Sequence, residues 1–215
     1  MFSNRDDAAR QLAQALAAWR GSHPLVLAIP RGALPMGRVI ADELGGELDV
    51  VLVRKIGAPH QPEFALAAID ENGELHWTPG IGPDSADPHW LEHETHSQLE
   101  LLRRRRERYR AGRAGIDPAG RVVIVVDDGL ATGSTMVAAL HATRARKPER
   151  LICAVPVAAP SAAERVRPYA DEVVCLSTPA FFQAVSQFYR EFPQVDDDDA
   201  QRILAEARKG DPGGA

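Results

Sequence analysis

The sequence predicts an α/β fold, a Rossmann-like, mostly parallel sheet flanked by helices. Three observations predict it. Short apolar runs recur at 25–29, 49–53, 122–126, 151–155 and 172–176, too short for helices and continuous enough for strands buried on both faces. Stretches of helical composition alternate with them at 38–44, 134–147, 161–166 and 200–209, as right-handed βαβ crossovers require. A length of 215 residues fits a single domain, 1–215, able to bury about 70% of its unfolded surface.

The elements follow in order. Near the N-terminus, Leu12, Leu16 and Trp19 make an amphipathic stripe behind Asp6 and Asp7. The strand at 25–29 runs into a loop, Pro30-Arg31-Gly32-Ala33-Leu34-Pro35-Met36-Gly37, and then a helix at 38–44. The strand at 49–53 ends in Arg54 and Lys55, which would face the crevice beyond the strands' C-terminal ends. An insertion at about 57–85 holds a hairpin, 65–69 against 74–77, turned by Glu71-Asn72-Gly73; Asn-Gly signals a type I′ turn. A long helix at 88–112 leads to the strand at 122–126. A C-terminal aromatic segment at about 177–195 carries Phe181, Phe182, Phe188, Tyr189 and Phe192, and the Gly/Pro-rich tail at 210–215 should fray.

Composition narrows the class. Hydrophobic content of 45% and charge content of 26% suit a soluble globule. A net charge of −5 argues against a general nucleic-acid or membrane-surface role. No stretch resembles a signal peptide or a spanning helix. Cys153 and Cys175 each sit in an expected strand and suggest no disulfide framework. The reading is a cytoplasmic protein.

The chemistry concentrates in residues 122–135, Val-Val-Ile-Val-Val-Asp-Asp-Gly-Leu-Ala-Thr-Gly-Ser-Thr. A buried strand ends in two acids and a small-residue turn that opens a helix. Free N–H groups and the helix dipole at such a turn favour a phosphate. Two carboxylates would repel that phosphate, but they accept well from a pair of sugar hydroxyls. Strand, acid pair and turn together suit a ribose 5-phosphate.

This segment resembles the phosphoribosyl diphosphate (PRPP) motif of the type I phosphoribosyltransferases. The resemblance implies that Asp127 and Asp128 bind the ribose hydroxyls and that Ala131, Thr132, Gly133, Ser134 and Thr135 wrap the 5-phosphate. The loop at 30–37 is similar to that family's pyrophosphate loop, which gives Arg31 and Gly32 a diphosphate contact and suggests a cis peptide at Pro30–Arg31. Lys55 joins them, with Arg54 as a second candidate. The insertion at 57–85 corresponds to a mobile hood, and Phe181 and Phe182 fall where related enzymes hold the acceptor. Order and spacing from Phe2 and Arg5 through the C-terminal aromatics narrow the likeness to the "predicted phosphoribosyltransferase" branch, sometimes fused to dienelactone-hydrolase-like domains. The implied reaction moves ribose 5-phosphate from PRPP to a nitrogenous acceptor and releases pyrophosphate. Arg31, Lys55, Asp127 and Asp128 would be its catalytic residues. Mg²⁺ would be bound mainly through PRPP, with Asp128 facing it. The same resemblance tilts toward a homodimer. Many purine-salvage relatives carry an Asp where this chain has Ala131, which puts guanine or hypoxanthine salvage in doubt. Two other classes stay open: a PRPP-binding regulator without catalysis, and a hydrolase or phosphorylase acting on a phosphoribosyl compound.

Other features read more plainly. His89, His93 and His96 share one helix face, but three ligands along one helix span too far for one metal, so a solvated helix is favoured. The basic run Arg103–Arg106 with Arg108, Arg110 and Arg113 is mixed with Glu100 and Glu107 and also reads as solvated, with a phosphate-facing subset second. Asp196 to Asp199 precede the last helix, where acids favour the N-terminus.

Overall fold

The chain opens on α1 (Arg5–Ala15), capped by Asn4, whose side chain accepts the Asp7 N–H at 3.0 Å. The computed structural model describes residues 1–78, 80–110, 112 and 114–209, the side chains of 62, 63, 208 and 209 aside; Pro79, Ala111, Arg113 and the tail at 210–215 lie outside the described residues. After α1 come β1 (Leu25–Ala28), α2 (Leu34–Leu44) and β2 (Glu47–Val50). A separate group follows: β3 (Val53–Ala58), β4 (Gln61–Asp70), β5 (Leu75–Trp77) and α3 (Pro88–Arg110). The alternation then resumes with β6 (Val122–Val126), α4 (Ser134–Ala145), β7 (Arg150–Val157), α5 (Pro160–Val166) and β8 (Glu172–Ser177), and α6 (Asp197–Lys209) closes it.

The central sheet has the order β2-β1-β6-β7-β8, with every pairing parallel. Alternate residues of its strands feed two cores. Val26, Ile124 and Ile152 pack with Leu12, Ile40, Leu44 and Leu204 on the α1, α2 and α6 side. Leu25, Val123, Val125 and Val155 pack with Met136, Leu140 and Val166 on the α4 and α5 side. Burial on both faces explains why these strands read as unbroken apolar runs. Chain direction reverses between β1, which leads outward to β2, and β6, which leads the other way to β7. Loops leaving β1 and β6 therefore part at this point and open a crevice.

Three local readings need correction. The run at 49–53 is not one strand. β2 stops at Val50, and Val53 already belongs to β3, which pairs antiparallel with β4 in a three-stranded sheet, β3-β4-β5. Val51 and Leu52 are buried throughout, so hydrophobicity alone hides the boundary. Arg54 and Lys55 consequently lie on the second sheet rather than at the end of a central strand. The helix expected at 38–44 begins earlier, at Leu34, with proline in its first turn, where the missing N–H costs nothing. The hairpin pairs Ala67 with Trp77 and Ile69 with Leu75, near the expected segments. Its turn is not type I′, because Gly73 (φ 88°) has positive φ and Asn72 does not. Asp70 N–H donates to Glu74 at 3.1 Å and Gly73 N–H to Asp70 at 3.0 Å, a longer loop closed by a left-handed glycine.

Cys153 and Cys175 are free thiols. Among the described residues no helix is long and apolar enough to cross a membrane.

Candidate active site

β1 and β6 are hydrogen-bonded neighbours, and the segments that leave them meet over the crevice. Pro30–Arg31 is a cis peptide, as the resemblance implied. Gly32 then comes so close to the acid pair that a Cβ there would lie 2.3 Å from Asp128 Oδ2. Only glycine fits this approach.

Asp127 and Asp128 follow β6 and are half-buried. Asp127 Oδ1 accepts the Asp128 N–H at 2.9 Å. Burial first, and the Asp128 charge second, push the Asp127 carboxyl well above the usual carboxylate range. Burial raises Asp128 as well, opposed by Arg5. That arginine, from the first turn of α1, donates through Nε (3.1 Å) and Nη2 (2.9 Å) to Asp128 Oδ2. Its Nη1 donates to the Pro193 carbonyl at 2.6 Å, and its guanidinium lies 3.7 Å above the Phe192 ring. Tyr189 adds a bond from its hydroxyl to the Asp128 carbonyl at 2.6 Å and stacks obliquely on Phe192. The two ends of the chain thus clamp the motif: Phe2 N–H donates to Phe188 and Arg190 N–H to Phe2. Sequence reasoning assigned Arg5, Tyr189 and Phe192 no site role. Their recurrence in the family pattern was visible, but no spacing connects residue 5 with residue 128.

After the acids the chain turns through Ala131 and Thr132, which are exposed, to Gly133, whose φ of 75° starts α4. The Ser134 hydroxyl accepts from Thr132 and from Arg165, each at 3.4 Å. N–H groups in the first turn of a helix lack partners within it; here the Ser134 N–H donates to Thr132 Oγ1 in a long bond of 3.4 Å that a stronger acceptor would displace. Beside this turn lies a cavity of about 410 Å³ lined by Pro30, Arg54, Lys55, Leu102, Arg105 and Thr135. The structure therefore places Thr135, Lys55 and the cis-peptide loop around one space, although Lys55 arrives on the second sheet.

Arg31 is half-exposed and lies 3.6 Å from Asp197 at the start of α6. Asp197 also accepts from Arg108 Nη1 and from the Tyr109 hydroxyl, each at 2.7 Å. Its carboxyl is held below the ordinary value, chiefly by the Tyr109 bond. Of the acids before the last helix, Asp196 serves as the expected cap, accepting the Asp199 N–H at 2.8 Å, whereas Asp197 ties the pyrophosphate-type loop to α3. Phe181 is 89% exposed, while Phe182 packs on Phe188 at 5.1 Å and joins the core.

Arg103 to Arg106 and Arg108 of the basic run on α3 are exposed, as expected of a solvated run, and Arg110 departs from it. Leu102 and Arg105 line the cavity, while Tyr109 reaches Asp197 of α6. Arg110, a quarter turn on from Tyr109, is 5% exposed and pairs with Asp49 (3.3 Å) and Glu71. His89, His93 and His96 are exposed, as expected of a solvated face. A different trio, Asp70, Glu74 and His76, brings its ligand atoms within 4.8 Å at the β4–β5 turn. Its hydrogen bonds explain it as a turn lock. Asp70 Oδ1 accepts the N–H groups of Asn72 and Glu74, and Oδ2 lies 3.2 Å from His76 Nε2. Burial opposes ionisation of Asp70, but these bonds outweigh it and hold its carboxyl below the usual range.

The chain is similar to several known proteins. The sequence profile of the phosphoribosyl transferase domain family matches residues 4–192. Two Mycobacterium tuberculosis proteins, each named "Putative phosphoribosyl transferase", are 42% identical over 210 residues, 97% of this chain and 47% of their own length. The chain thus spans about half the length of the curated relatives it matches. The crystal structure of TT1426 from Thermus thermophilus superposes with a TM-score of 0.90 at 48% identity, over 95% of this chain and 98% of that one. A hypothetical protein from Neisseria gonorrhoeae with bound ppGpp shares the fold, with a TM-score of 0.50 at 13% identity over 97% and 99% of the two chains.

Proposed function

The chain belongs to the phosphoribosyl transferase domain family, and on that premise we propose that it transfers ribose 5-phosphate from PRPP to a nitrogenous acceptor, releasing pyrophosphate. One observation carries the reading. A half-buried acid pair stands beside a helix N-terminus at the sheet's switch point, next to a cavity lined by Arg54, Lys55 and Arg105. Asp127 and Asp128 accept the ribose hydroxyls, and the N–H groups and hydroxyls at 132–135 take the 5-phosphate. The departing diphosphate gathers negative charge. Arg31, the Gly32 backbone and Lys55 stabilise that charge where it develops, which is where binding lowers a barrier. Phe181 offers an exposed ring to stack an acceptor, while Phe182 packs on Phe188.

Mg²⁺ suits this donor set. Two adjacent carboxylates raised by burial mark a place short of positive charge, and Arg5 engages only Asp128 Oδ2. Asp127 and the other oxygen of Asp128 are hard oxygen donors of the kind Mg²⁺ takes. Bound there, the ion would neutralise diphosphate charge. Ala131 offers no carboxylate for the acceptor's proton, which favours an acceptor other than guanine or hypoxanthine.

The test is calorimetric titration of PRPP with Mg²⁺ into the wild type and Asp127→Asn. The single variant is the cleaner probe, because Asp128→Asn would also strand the Arg5 guanidinium. Binding to the wild type and its loss in Asp127→Asn are expected, followed by acceptor-dependent pyrophosphate release. A folded wild type that ignores PRPP would refute the transferase reading.

A further inference from the structure

Asp128 stands at a strand end, where an aspartate carboxylate turns easily about its last bond. Three segments remove that freedom. From α1, Arg5 sets Nε and Nη2 on the same oxygen, Oδ2, at 3.1 and 2.9 Å. From the β1 loop, Gly32 closes on Oδ2, and a Cβ there would also stand 3.4 Å from Arg5 Nη2. From the C-terminal segment, the Tyr189 hydroxyl donates to the Asp128 carbonyl at 2.6 Å. With both guanidinium donors on Oδ2, the carboxylate offers Oδ1 to a ligand.

The guanidinium is fixed in its turn. Nη1 donates to the Pro193 carbonyl at 2.6 Å, and the planar group lies 3.7 Å from the centre of the Phe192 ring. Main-chain bonds tie that segment to the chain start, Phe2 N–H to Phe188 at 2.8 Å and Glu191 N–H to Ser3 at 3.0 Å. Offsetting the charge of Asp128 needs only a cation nearby. Using Nε, both terminal nitrogens and the flat face at once sets a direction, which a lysine could not do.

We infer that Arg5 is a positioning residue for the ribose: it holds Asp128 turned so that Oδ1 meets a sugar hydroxyl, and it acts only through that acid. The inference rests on the PRPP reading, in which the acid pair accepts the ribose hydroxyls. A carboxylate free to turn keeps its charge but loses the angle a hydrogen bond requires. Loss of Arg5 is therefore felt by the sugar and not by a phosphate at 132–135.

Phosphorus NMR titrations of the full chain, without metal, test it with two probes. Ribose 5-phosphate carries the hydroxyls, and orthophosphate has none of the sugar. Arg5→Ala should weaken ribose 5-phosphate roughly tenfold, the effect of losing one hydrogen bond to a charged group, and leave orthophosphate within about twofold. Arg5→Lys keeps the charge without the fork and should show the same selective loss at about threefold. It decides the matter should Arg5→Ala fail to fold. The inference falls if either folded variant binds ribose 5-phosphate like the wild type, since charge alone, or nothing at all, would then be needed from residue 5. It falls equally if both probes weaken together, the mark of a general loosening. The PRPP reading survives each of those results. Wild type that binds ribose 5-phosphate no more tightly than orthophosphate would overturn that reading, and the inference with it.

Discussion

Replacing Arg5 by alanine probes how the chain ends hold the acid pair. The wild-type guanidinium puts two donors on Asp128 Oδ2, a third on the Pro193 carbonyl and a face on Phe192. The ion-pair side chains are 9% and 16% exposed, so solvent screens them little. Breaking such a pair by removing one partner costs about 3–5 kcal/mol, because the carboxylate left behind stays poorly solvated. For a domain of this size that lowers Tm by roughly 6–20 °C. The loss should depend on pH in a definite sense. Arg5 is what opposes the burial-driven rise of the Asp128 pKa, so its removal raises that pKa further. A carboxyl with a folded-state pKa above its unfolded value binds more protons when folded. Its contribution is full below the unfolded value, near ~3.9, and is lost as pH rises through the folded one. The Arg5→Ala deficit should therefore be largest near pH 8 and shrink toward pH 5. Urea unfolding followed by circular dichroism at both pH values reads it. A deficit under about 1 kcal/mol at pH 8 would mean that the pair behaves like a surface contact, and the clamp argument would be wrong.

Other expectations follow from the same contacts. Asp127→Asn keeps the oxygen that accepts the Asp128 N–H and removes a charge that burial and its neighbour disfavour; thermal unfolding at pH 8 should show equal or higher stability, by about 1–2 kcal/mol, even as PRPP binding disappears. Gly32→Ala drives a methyl into Asp128 Oδ2, so calorimetry should show PRPP affinity falling at least about tenfold, with a stability loss of about 1–3 kcal/mol in urea. Asp70→Ala strips three partners from the β4–β5 turn and should cost about 2–3 kcal/mol, with the fastest hydrogen exchange localised at residues 70–76. Asp70 also predicts acid sensitivity of that hairpin. Its folded pKa is depressed, so its stabilisation is present above the unfolded value and drains away as pH falls below it, and proton exchange near pH 3 should show this.

Much of this was legible beforehand, for identifiable reasons. β6 matches the expected strand at both ends, because its residues are buried on two faces and leave an unbroken apolar signature that stops at two acids. α5 and β8 each came within a residue of the expected bounds. The failure at 49–53 has the opposite cause: Val50, Val51, Leu52 and Val53 are all buried, so no change of hydrophobicity marks where one sheet ends and another begins. Asn72-Gly73 misled the turn assignment because Asp70 accepts two backbone N–H groups across the loop and stabilises a longer form.

By itself, the sequence determined the alternation of strands and helices, the acid pair and the glycine turn, while the cis peptide was expected only from the family resemblance. The first three are local: each depends on neighbours within about a dozen residues, where periodicity and turn chemistry act. Only the tertiary structure decided that Arg5 holds Asp128, that Asp197 tethers Arg31, and that Arg105 and Lys55 share a cavity with Thr135. Those partners are separated by dozens to more than a hundred positions. A side chain's charge is written in the sequence, but the field it works in is set by whichever distant segments the fold packs around it.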